Sequence, residues 1–171
     1  MAGMRHAPIS LALLVVAAAT GCAGGEGGGN GSASGSAAGG ASVQTATLTG
    51  LYESGEGSRR NQLCMIERDG GDARFGLVTW SKGASNCSGS GPATREGDRL
   101  LLRLDGDESC TLEARIDGRR VTLPSGIADA CQRYYCGAGA QMAGVELDKV
   151  GGAEGDAMRA TDLAGDRLCG D

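Results

Sequence analysis

The chain has 171 residues, with 16 Lys or Arg against 21 Asp or Glu and a single histidine, His6. The resulting net charge of −5 gives no electrostatic reason to bind nucleic acid or an anionic lipid surface, and it suits a basic partner. With no histidine after His6, the rest of the chain lacks the commonest general base, and neither a Ser-His-Asp nor a Cys-His site can be assembled there.

Arg5 and His6 precede an apolar run, Ile9 to Ala19, that is about half the ~20 residues a spanning helix needs. A basic start, a short apolar core and small residues before a cut are the layout of an export signal. The run ends in Ala19-Thr20-Gly21-Cys22, which resembles the lipobox of bacterial lipoproteins. An ordinary signal peptide cut after small residues is the other reading of the same stretch. The lipobox resemblance implies that residues 1–21 are removed and that the Cys22 thioether carries diacylglycerol, with a further acyl chain such as palmitate. Two or three chains hold a protein stably at a membrane where one holds it only marginally. Ala23 behind the cysteine implies, by the same resemblance, an outer-membrane address facing the periplasm.

Residues 22–43 are nearly all Gly, Ala and Ser, with no aromatic side chain. Such a composition cannot bury enough apolar surface to offset the entropy of ordering, so a disordered tether is expected. Its r.m.s. span at ~20 residues is about 25 Å.

Residues 44–171 form the expected domain. Setting aside Arg5 and Glu26 leaves 15 basic and 20 acidic residues, so the domain keeps the net charge of −5. Its five aromatic residues are Tyr52, Phe75, Trp80, Tyr134 and Tyr135, few for a core of this size. Six cysteines compensate: Cys64, Cys87, Cys110, Cys131, Cys136 and Cys169. An even set in an exported chain argues for three disulfides, each contributing about 2 to 4 kcal/mol, with 15 connectivities open. The pairing expected from position along the sheet is Cys87 with Cys110, Cys131 with Cys136 and Cys64 with Cys169. The absence of Cys-x-x-Cys spacing and of histidine argues against a metal site.

Strands are expected at 47–53, 61–68, 73–80, 99–104, 110–116 and 119–123, with a looser stretch around Cys87 to Pro92. Asp69-Gly70-Gly71, Asp105-Gly106-Asp107 and Asp117-Gly118 supply the turns between them. The connections are too short for crossover helices, so the sheet is antiparallel. Leu112, Ala114 and Ile116 alternate with Thr111, Glu113 and Arg115, which leaves one face wet. A short helix over 125–135 capped by Ser125, a strand over 141–149 and a C-terminal helix over 154–169 follow. The fold class is therefore mainly β: a small disulfide-stapled antiparallel meander of about 7–8 strands with one short and one C-terminal helix. A barrel is favoured over a two-layer sandwich because closure hides the apolar face and the edges.

Several local motifs have plain structural readings. Asp105 to Ser109 begins like a calcium loop, yet Cys110 and Ile116 stand where Gly and Glu are needed, so it reads as a hairpin tip. Ser81-Lys82 are adjacent on a strand and point to opposite faces, which is wrong for a nucleophile and its base. Tyr134-Tyr135-Cys136-Gly137 either covers a disulfide or presents an aromatic patch to a partner. Trp80-Ser81-Lys82-Gly83 and Ser88-Gly89-Ser90-Gly91 are similar, over about a dozen residues, to motifs of small periplasmic lysozyme inhibitors. That resemblance implies an eight-stranded disulfide-containing barrel that places a Ser-Gly loop and a lysine in the lysozyme cleft.

The expectation is a non-enzymatic envelope lipoprotein, anchored to the membrane through Cys22 and acting as a binding or structural module. The alternative is an inhibitor of lysozyme or a similar basic enzyme. Lys82, Ser88, Ser90, Tyr134 and Tyr135 are the expected partner-contact residues. No catalytic residue, metal ligand or cofactor beyond the lipid is expected.

Overall fold

The computed structural model describes residues 46–68, 72–107 and 109–170. The signal segment, Cys22, the Gly/Ser segment 22–43 and the turn Asp69-Gly70-Gly71 lie outside the described residues. Eight strands run in order: β1 (Gly50–Ser54), β2 (Asn61–Glu67), β3 (Asp72–Trp80), β4 (Asn86–Glu96), β5 (Arg99–Arg103), β6 (Thr111–Asp117), β7 (Arg120–Thr122) and β8 (Glu146–Gly151). Helix α1 (Asp129–Tyr135) interrupts the β7–β8 connection, and α2 (Glu154–Ala157) follows β8. Each strand pairs antiparallel with the next, and β8 returns to β1 through Tyr52↔Lys149 and Glu53↔Asp148, closing an up-and-down barrel.

The alternation of residue types sets the inside and outside of this barrel. On β6, Leu112, Ala114 and Ile116 are buried while Thr111, Glu113 and Arg115 are exposed. Leu63, Met65, Phe75, Leu77, Leu100 and Leu102 fill the interior from β2, β3 and β5, each 0–1% exposed. An eight-stranded barrel is only wide enough for its own side chains or one small ligand, and here side chains take the space.

Both mouths are closed as well. Ala46 to Thr49 crosses one end, with Leu48 1% exposed. Glu67 accepts the Leu48 N–H at 3.0 Å and the Thr47 hydroxyl, while Arg95 donates to the Ala46 carbonyl at 2.8 Å and Lys149 to that of Thr47 at 2.6 Å. The β7–β8 excursion carrying α1 covers the opposite end. It packs Cys131, Ala140 and Met142 into the main core.

Three disulfides fix the covers. Cys64–Cys169 pairs as the sequence suggested. The other two differ: Cys87 joins Cys136 and Cys110 joins Cys131, in place of Cys87–Cys110 and Cys131–Cys136. The reason is placement. Cys87 lies at the start of β4 and Cys110 just before β6, with β5 between the two strands, and each faces the α1 cover rather than the other. The two bonds therefore stitch that cover to β4 and to the start of β6.

Two further expectations are corrected. The stretch Cys87 to Pro92 lies in the first part of the longest strand, β4, and is not a loose loop. Its glycines serve close approach: a Cβ on Gly91 would overlap the Arg103 carbonyl, and one on Gly89 would sit 2.5 Å from a Leu104 methyl. The C-terminal helix stops at Ala157, after one turn. Residues 158–170 continue as turns, a strap laid on the outside of β1–β3. Ala157 and Ala160 pack there on Leu51 and Cys64 in a second small core. Gly76 is what lets the strap lie flat, because any Cβ there would overlap the Leu168 carbonyl. Helix α1 likewise starts at Asp129 with Ala128 before it, so Ser125 caps nothing.

Candidate functional site

Surface features carry the candidate chemistry, and they fall in three places. The first is the β3–β4 hairpin. Lys82 is exposed in its turn, and Ser88 and Ser90 stand half-buried on the outer face of β4, paired with Val78 and Gly76. The Ser85 hydroxyl donates to the Ala138 carbonyl at 2.8 Å, and the Ser81 hydroxyl accepts the Gln141 N–H at 2.9 Å. Those bonds, with Cys87–Cys136 beside them, lock the turn to the chain leaving α1.

The second place is the tyrosine pair. Tyr134 is 64% exposed and its ring lies 4.7 Å from that of Tyr135. Tyr135 is half-buried, donates its hydroxyl to the Asp105 carbonyl at 2.8 Å, and has its pKa raised chiefly by desolvation. A Cβ on the inward-facing Gly89 would lie 3.3 Å from the Tyr135 ring, whereas Ser88 and Ser90 point outward from the same strand. The five expected contact residues thus form two surfaces rather than one.

The expected hairpin tip at Asp105 to Ser109 is a turn held by Asp107. Its carboxylate accepts the Ser109 N–H at 3.0 Å and hydroxyl at 2.6 Å, which holds the Asp107 pKa below its usual value. Glu108 lies outside the described residues. Among the described residues no three His, Cys, Asp or Glu side chains gather as a metal site would require.

No protein-family model, curated protein or solved structure matches this chain.

The third place was not legible in the sequence. A groove of about 160 Å³ runs between the outer face of β2–β3 and the strap. Ser58, Arg60, Gln62 and Trp80 form one wall, and Arg159, Thr161, Asp162 and Leu163 form the other. Gln62 ties the walls together: its amide donates to Glu53 at 2.8 Å and its carbonyl accepts the Thr161 N–H at 3.4 Å. Arg60 pairs with Glu53 at 3.3 Å and Arg159 with Asp156 at 2.7 Å, each through one nitrogen. The Arg59 guanidinium sits 5.9 Å from the indole centroid of Trp80, a cation–π distance, and donates to the Gly83 carbonyl at 2.9 Å. About 100 residues separate Gln62 from Thr161, so no local motif joins the two walls.

The remaining outer face, over β5–β8, carries ion pairs: Arg99 with Glu113 at 3.0 Å, Arg115 with Asp98, and Arg120 with Asp148 at 2.8 Å. Hydrogen bonding to these arginines holds the Asp98 and Asp148 carboxyls below their usual pKa. The pairs are exposed and in water contribute little to stability.

Proposed function

We propose that this chain is a non-enzymatic, lipid-anchored envelope protein that works as a binding or structural module through the outside of its barrel. One observation carries the second half of the reading: side chains fill the barrel interior and chain covers both mouths. A protein packed in this way meets its partners with its outer surface. The first half rests on the Ala19-Thr20-Gly21-Cys22 signature and on the Gly/Ser-rich stretch between it and the barrel. Three disulfides suit an oxidising compartment such as the periplasm. The absence of histidine beyond His6 supports a role without acid–base catalysis.

The experiment is fractionation of cells expressing the wild-type chain and Cys22→Ser. Wild type is expected with the outer membrane and the variant in the soluble periplasmic fraction. Membrane retention of the variant would remove the anchor from this account.

A second reading, inhibition of lysozyme or a similar basic enzyme, is favoured by the β3–β4 hairpin, which presents Lys82 and Ser88 on one rigid element of an eight-stranded barrel. It requires that Lys82→Ala and Ser88→Ala weaken inhibition. Lysozyme turnover unchanged at high molar excess of the protein would rule it out.

A further inference from the structure

We propose that the groove beside Trp80 is a saccharide site that takes one pyranose unit of a neutral glycan. This rests on the reading that the outer surface is the working part, and it names a ligand class for one patch of that surface. Four features of the groove converge on such a ligand. Its size, about 160 Å³, is below the roughly 300 Å³ at which drug-sized ligands begin to be enclosed, so a single ring or a chain end fits.

Its polar groups are mixed in kind. Ser58, Gln62 and Thr161 can donate and accept, Arg60 and Arg159 donate, and Asp162 accepts through Oδ2, its Oδ1 already taking the Ala164 and Asp166 N–H groups. Ring hydroxyls also donate and accept, and each can find a complement here. Charge argues in the same direction. Arg60 and Arg159 each already face a carboxylate, and Asp162 adds a further negative charge to the lining, so the groove has no unbalanced cation to capture a free anion. Each guanidinium still has nitrogens outside its ion pair, in the planar fork that reads vicinal oxygens.

Trp80 is the third feature. It is the chain's one tryptophan and stands half-buried on the outer face at the end of β3. Arg59 is over its ring but does not line the groove, where the indole contributes a small apolar contact, enough for one C–H edge of a sugar, among mainly polar side chains. Leu163, 50% exposed, forms the apolar lip opposite. The fourth feature is rigidity. The strap wall is pinned by Cys64–Cys169 and by the Gln62–Thr161 bond, so the polar groups are already placed before a ligand arrives.

The test uses the single tryptophan as its reporter. The full chain in detergent is titrated with tri-N-acetylglucosamine, maltotriose and N-acetylmuramic acid while Trp80 emission is followed. A saturable shift with a neutral trisaccharide is expected, weakened at least tenfold in Arg159→Ala and Arg60→Ala and unchanged in Arg99→Ala on the far face. Emission that stays constant with every sugar up to about 10 mM would overturn the proposal. So would arginine variants that bind like wild type, or binding confined to the acidic sugar. Capture of an envelope protein through this same patch, with no sugar response, would overturn the saccharide assignment and leave the module reading standing.

Discussion

Removing the Cys64–Cys169 bond by the double substitution Cys64→Ala and Cys169→Ala tests whether the strap belongs to the cooperative unit. The two cysteines lie 105 residues apart, but the unfolded chain with Cys87–Cys136 intact takes a shorter route between them. That route runs 23 residues from Cys64 to Cys87, crosses the bond, and runs 33 more from Cys136 to Cys169. For a loop of that effective length the chain-entropy model gives ~4 kcal/mol, less than the ~4.7 kcal/mol of an uninterrupted 100-residue loop. The substitution also loosens the contacts of Ala157 and Ala160 on Leu51 and Cys64. Non-reducing urea denaturation of both proteins measures the difference. A loss of ~4 kcal/mol in a single transition is expected, against about 3 kcal/mol for the analogous removal of Cys110–Cys131, which closes 21 residues. A loss under about 1 kcal/mol would show that the strap is not part of the folding unit and would refute the reasoning.

Further expectations follow from individual side chains. Burial pushes the Tyr52 phenol up to about 12, so ultraviolet titration should show one tyrosine ionising that late. Because its folded pKa lies above the unfolded value of 10, the associated stability, ~3 kcal/mol, is present below pH 10 and is lost as pH rises from 10 towards 12. At the other end, Asp98, Asp107, Asp148 and Asp156 are all held below 3.8, so their contribution is present above that pH and lost only as pH falls below it; melting temperature should not drop from this cause above about pH 4. Gly91→Ala must displace the Arg103 carbonyl and should cost more than about 3 kcal/mol, whereas Gly97→Ala meets open space and should cost ~1 kcal/mol for its positive φ; chemical denaturation separates the two. Thr79 has a fully buried hydroxyl with no hydrogen-bond partner among the described residues, so Thr79→Val should stabilise the barrel by about 1 kcal/mol in the same assay.

Strand positions were readable because turn residues and two-residue alternation are local signals, as on β6 between Thr111 and Asp117. The β4 strand was not, because its outward Ser88 and Ser90 and its inward Gly89 and Gly91 carry no strand-forming side chains. They are chosen by what passes close to them. The same holds for the strap, expected as a helix over 154–169 but helical only to Ala157, where Ala157 and Ala160 are small because they are buried against the barrel exterior. The partners of Cys87 and Cys110 followed from the α1 cover folding over one mouth, a tertiary fact that neither spacing nor parity encodes. At the candidate sites, Lys82, Ser88 and the tyrosines could be picked out as local clusters. The groove could not, since Arg60 and Arg159 meet only when the strap crosses β2 and β3.

The central claim is that an anchored, filled barrel acts through its outer face without catalysis. Affinity capture of the oxidised full chain from envelope extract with lysozyme added, with identification of both retained protein and retained glycan, tests it most directly. The account predicts retention of one discrete component, released by substitutions on the outer surface such as Arg159→Ala or Lys82→Ala. Retention of nothing, or turnover of an envelope substrate by the purified chain, would contradict it.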